Sequence, residues 1–188
     1  MNNKNVGLDG LLSNYLAQKR KEKALSYFFK GENILDVGCG LNIWEKELSL
    51  NQNYLGIDID NDVIELNRTR ANKSNQKFMT FDFDKNELSN IDSKFDTVIM
   101  LAIIEHFKNP NEILKKITKL LKPNSKIILT TPAPYGEVIL DFGSIFGIFA
   151  KDKHEHQELF NRKRLQLLAN DCGLEMEVYE KFLFFQNQ

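Results

Sequence analysis

The run Asn33-Ile34-Leu35-Asp36-Val37-Gly38-Cys39-Gly40-Leu41-Asn42 passes from an apolar strand into a glycine turn. Asn33–Val37 reads as a buried strand. Gly38 and Gly40 let the backbone turn sharply and let a ligand come close. Asn42 stands where a third glycine would complete a dinucleotide-type turn, and Asn tolerates a left-handed backbone better than other side chains do. Ile43–Leu50 then reads as a helix. Working outward, Tyr54–Ile57, Lys77–Phe81, Phe95–Leu101, Lys126–Thr130 and Leu174–Tyr179 read as five further strands. Helices alternate with them: Asn61–Ala71, one opened by Asn109-Pro110 with Glu112 and ending before Pro123, and Arg162–Asn170 closed by Gly173. Leu8–Phe29 carries helical apolar spacing interrupted by Lys19–Lys23, hence one or two helices. Alternating strands and helices predict an α/β, Rossmann-like doubly wound sheet, mostly parallel, with helices on both faces.

The 188 residues suit one domain: a helical segment over residues 1–32, then a single unit over 33–188 with an apolar insertion at 132–156. An apolar share of 42% with 14 Phe excludes a disordered chain. Twenty-five basic against 26 acidic residues give a net charge of −1, which argues against a protein that holds nucleic acid by charge. Two cysteines, Cys39 and Cys172, are too few for a disulfide framework, so a reducing cytoplasm is expected. No apolar run reaches the roughly 20 residues of a membrane span.

In such sheets ligands sit beyond the carboxyl ends of the strands. Three successive strands run into an acid there: Asp36, Asp58 and Asp82. An acid about 20 residues after the first, at the end of the second strand, is placed to grip a ribose diol. An acid ahead of an incomplete glycine turn suits a ligand with a positive end better than a pyrophosphate.

Several segments in order carry a resemblance. Ile34–Gly40 resembles the first motif of class I S-adenosylmethionine-dependent methyltransferases, and Leu55–Asp60 their second-strand motif. Phe95–Met100 with Ile104-Glu105-His106-Phe107 resembles the fourth strand and its Leu-Glu-His-Val tail. Leu121-Lys122-Pro123-Asn124-Ser125 is similar to the turn before strand five; His156, Phe160 and Asn161 are similar to a late His-x-x-x-Phe-Ser/Thr segment. The type 11 (UbiE/UbiG-like) group is the most similar. The resemblance implies six to seven strands, the last antiparallel and here short or absent.

It also implies roles. Asp36 would lie near the methionine end of S-adenosylmethionine, with Gly38 and Gly40 admitting methionine and ribose. Asp58 would take the ribose hydroxyls, Ile59 the adenine face, Asp82 the adenine amino group and the Phe83 amide a ring nitrogen. Leu101 would offer a carbonyl to the methionine ammonium. Glu105 and His106 are the catalytic candidates, His106 as a base for an oxygen nucleophile. Some relatives hold a divalent metal with Glu-x-x-Glu-His. Ala102 replaces the first Glu here, so no metal is expected, a reduced site at Glu105 and His106 being the alternative. Tyr135 and His156 are substrate-side candidates, and His154 sits in the same Lys/Glu-rich stretch. The 132–156 insertion reads as a buried helix, as a lid, or as a peripheral membrane contact or dimer surface.

The expected activity is methyl transfer to a small-molecule or sugar- or lipid-linked acceptor, with oxygen favoured, by a monomer or homodimer without nucleic acid. The rival is a non-catalytic binding module, favoured by Asn42 and Ala102 and opposed by the three acids. A nicotinamide dehydrogenase is the distant third.

Overall fold

The computed structural model describes residues 13–27, 33–41, 44, 48, 51–88, 91–133, 160–182 and 187–188. Five parallel strands form one sheet in the order β3-β2-β1-β4-β5. They are β1 (Asn33–Val37), β2 (Asn53–Asp58), β3 (Gln76–Thr80), β4 (Phe95–Leu101) and β5 (Leu121–Thr130). The helices are α1 (Ser13–Leu25), α2 (Asn61–Arg70), α3 (Pro110–Thr118) and α4 (Arg162–Asp171). The doubly wound α/β class is as the sequence predicts.

β1 is apolar on both faces because both are covered. Leu35 and Val37 join a core with Ile57, Val98, Met100, α3 and α4. Ile34 joins a second core with Tyr54, Phe78, Ile99, Ile64 of α2 and Ala24 of α1. Strand alternation places Asp36 on that second face. Polar caps start the helices where the sequence puts them. Asp60 accepts from Asp62 N (2.9 Å) and Asn161 from Arg164 N (2.9 Å), while Gly173, at φ +69°, closes α4.

Two readings need correction. Leu174–Tyr179 is no strand. Its exposure alternates only over 174–177 and breaks at Val178, which is exposed, and a groove of about 460 Å³ lined by both Gly173–Glu180 and β5 lies where a ladder would form. Second, β5 begins at Leu121 rather than Lys126. Phe95 pairs with Leu121 and Thr97 with Lys126, so the Pro123 turn bulges out of the strand; Asn124 takes φ +59° there. The antiparallel last strand is reduced, among the described residues, to isolated contacts. Thr131 and Gln188 exchange N–H···O bonds of 2.9 and 3.1 Å, and Asn187 bridges to Pro132 and to Phe182. Of the expected 43–50 helix, Trp44 and Leu48 are described and share an i→i+4 bond of 3.1 Å. The remainder of that helix lies outside the described residues, as does most of 132–156. No helix among the described residues is long and apolar enough to cross a membrane.

Candidate functional site

The chain leaves β1 for β2 and β3 on one side, then returns to β4 and β5 on the other. β1 and β4 therefore border the switch point, where connections diverge and open a crevice. The glycine turn and the segment after β4 face each other across it. Gly38 N and Cys39 N both donate to Ile57 O, at 2.8 and 3.0 Å. Gly38 (φ +69°) and Gly40 (φ +51°) are left-handed. Their surroundings differ. A Cβ on Gly38 would come within 2.7 Å of Ile103, whereas one on Gly40 would meet nothing within 4 Å. Gly38 is thus demanded by packing as well as φ, and the open approach lies at Gly40.

Asp58 organises that approach. Its Oδ2 accepts from Gly40 N (2.9 Å) and its Oδ1 from Asp60 N (3.0 Å). Each oxygen keeps a second acceptor site, so the carboxylate can take two hydroxyls while holding the turn. Ile59 beside it is 64% exposed, a large apolar side chain offered to solvent at the crevice rim. Asp82 is engaged within its own turn. It accepts from Asp84 N (3.0 Å) and pairs with Lys85 (2.8 Å), which holds its carboxyl below the usual range. Phe83 is buried edge-on to Phe81 and Phe107.

Asp36 is 3% exposed, and burial pushes its pKa up to about 7 against the opposing hydrogen bonds of Trp44 and Tyr54. Leu101 ends β4 opposite Thr130. Ala102 follows with φ +53° and donates to Thr130 O (2.8 Å). The backbone then makes a short 3-10 turn, Ile104–His106, in which Glu105 is buried and His106 half-buried. The described residues hold no cluster of three His, Cys, Asp or Glu fit for a metal. Tyr135, His154 and His156 lie outside the described residues; of the others, the structure joins Gly40 directly to Asp58 and sets Asp36, Asp58, Leu101 and the Glu105–His106 turn at or just after the carboxyl ends of neighbouring strands, while Asp82 is held within its own turn.

Sequence reasoning missed Tyr54, Trp44 and Asn67. Asn67 Nδ2 donates to Gly40 O (2.6 Å) and approaches Cys39 Sγ (3.8 Å). Its signal was a polar residue on the buried stripe of α2, beside Val63 and Ile64.

A family model described as a methyltransferase domain matches residues 11–178. The chain belongs to the class I S-adenosylmethionine-dependent methyltransferases. This methyltransferase domain is 23% identical over 163 residues to a ubiquinone biosynthesis O-methyltransferase of Xanthomonas euvesicatoria, covering 82% of this chain and 67% of the relative. Against the curated relatives it matches, it spans about two thirds of their length. Its fold is shared with a SAM-dependent methyltransferase of Archaeoglobus fulgidus, with TM-score 0.64 and 20% identity over 86% of this chain and 69% of that one. A SAM-dependent methyltransferase of Methanosarcina mazei gives TM-score 0.59 and 24% identity over 80% and 82%.

Proposed function

We propose that this domain binds S-adenosylmethionine in the β1–β4 crevice and transfers its methyl group to an oxygen of a small-molecule or sugar- or lipid-linked acceptor. The observation that carries the cofactor site is Asp58, whose two oxygens brace the Gly40 turn beside the exposed Ile59. Those residues fit a nucleoside: a carboxylate for a diol, an apolar face for a base and an open backbone between them. When bound, S-adenosylmethionine supplies an already activated methyl group on a sulfonium, so the protein's task is mainly orientation.

In this reading Asp36 and the end of β4 at Leu101 receive the amino-acid end, and Asp82 with the Phe83 amide receives the base edge. His106 takes the acceptor's hydroxyl proton, with Glu105 buried behind it. Tyr135 and His156 are assigned to the acceptor side. The preference for oxygen rests on the O-methyltransferase name of the relative. Free Cys39 and Cys172 suit a reducing, cytoplasmic compartment.

Calorimetric titration with S-adenosylhomocysteine, with NAD as control and Asp58→Ala in parallel, tests the cofactor site. Micromolar binding, weakened at least tenfold in the variant and absent with NAD, is expected, since charge-assisted hydrogen bonds are lost. Failure of the folded protein to bind would overturn it. Acceptor screens, with and without Mg²⁺, then follow methyl transfer directly.

A further inference from the structure

Asp36 is held by partners that strand packing alone does not call for. Trp44 Nε1 and Tyr54 OH both donate to its Oδ2, each at 2.8 Å. Both donors are buried, Trp44 in the segment after the glycine turn and Tyr54 on β2. Among the described residues both bonds fall on one oxygen, which leaves Oδ1 for a ligand. Burying a carboxyl group is costly, and an apolar residue would fill this face of β1 more cheaply. The group stands one residue before the end of β1, at the switch-point crevice.

We propose that Trp44 and Tyr54 are positioning residues that present Asp36 to a cationic amino group, and that seating this group expels a proton from Asp36. The proposal rests on the cofactor reading above, whose ligand carries such a group at its amino-acid end. In the step, the carboxylic acid gives its proton to solvent and the resulting carboxylate pairs with the ligand ammonium. No covalent bond other than O–H changes.

The surroundings are balanced for this exchange. Burial raises the Asp36 pKa to about 7, Trp44 and Tyr54 oppose the rise, Asp58 adds to it and Lys21 of α1 lowers it. Lys21 itself is buried, 5.1 Å from the Trp44 ring centre. Cys39, the remaining titratable neighbour, is buried and its thiol is pushed far up by desolvation, so it stays neutral. Asp36 is therefore divided between its two forms near neutrality, and a nearby cation selects the charged one.

Calorimetry in two buffers of different ionisation enthalpy tests this on the full chain. The probes are S-adenosylhomocysteine and 5′-methylthioadenosine, which keeps the nucleoside and lacks the amino-acid end with its ammonium. With S-adenosylhomocysteine, release of about half a proton at pH 7 and an affinity rising about tenfold from pH 6 to pH 8 are expected. Methylthioadenosine is expected to show neither. Tyr54→Phe removes a donor to the charged form. Its affinity for S-adenosylhomocysteine falls several-fold at pH 7 and recovers by pH 8.5, while methylthioadenosine binding is unchanged. A purely structural Tyr54 would weaken both probes at every pH. Asp36→Asn abolishes the proton release. Both probes binding without proton exchange overturns this proposal alone; neither binding overturns the cofactor reading, and this proposal falls with it.

Discussion

Asp36 keeps its proton to about pH 7 in the folded chain, while the same group in the unfolded chain loses it near 3.8. Between those values the folded state holds the extra proton. Stability therefore falls as pH rises through that window and levels off above about 7. Asp36→Asn removes the ionisation and keeps an acceptor for Trp44 and Tyr54. The variant is expected to be more stable than the parent at pH 8, by on the order of 1–3 kcal/mol, and closer to it at pH 5. Urea melts at both pH values measure this, and a variant less stable at pH 8 would contradict it. The acid and the glycines were legible because a carboxyl at a strand end and a left-handed turn leave direct marks in sequence. Tyr54 and Trp44 left none, since an aromatic on a buried face reads as core whether or not its polar tip is engaged.

Helix starts were the most readable elements, because a cap is a local matter. Asn109-Pro110 with Glu112 predicted the opening of α3, and Asn109 Oδ1 indeed accepts from Glu112 N at 3.2 Å. Asn109→Ala is expected to cost about 1 kcal/mol, read as a lower urea midpoint with unchanged m-value. An unaltered midpoint would show that the Pro110 turn is held by its packing instead. Strands were less readable at their ends. The apolar residues of Leu174–Tyr179 suggest a strand but do not say whether a neighbouring backbone pairs with it, and here a groove lies between the segment and β5. The Pro123 turn was visible, yet the continuation of the β4 pairing on its other side, at Leu121, depends on register and not on composition.

At the scale of the molecule, α1 is fastened to segments from the far end of the chain. Arg20 donates to Asn187 Oδ1 at 2.8 Å, Lys23 pairs with Glu180, and Tyr27 OH donates to Glu180 Oε1 at 2.8 Å. Lys126 of β5 reaches Tyr27 O. The exposed pairings of Glu180 add little to global stability. Glu180→Ala is expected to leave the urea midpoint nearly unchanged while amide exchange in the last turn of α1 speeds up and that of β1 and β4 does not. Equal acceleration in the central strands would mean that α1 opens only with the whole fold. None of these pairings was legible in the sequence, because each joins groups more than 90 positions apart and no local pattern marks them.

The Arg20–Asn187 bond spans 167 positions, so its two halves are made far apart in time. At roughly 5–20 residues per second, a ribosome adds the second about 8–33 s after the first. Throughout that interval α1 exists without the tail that ties it down, and Ala24 on its inner face has only the strands already synthesised to lie against. A helix made before every described strand is thus among the last parts of the domain to be locked in place.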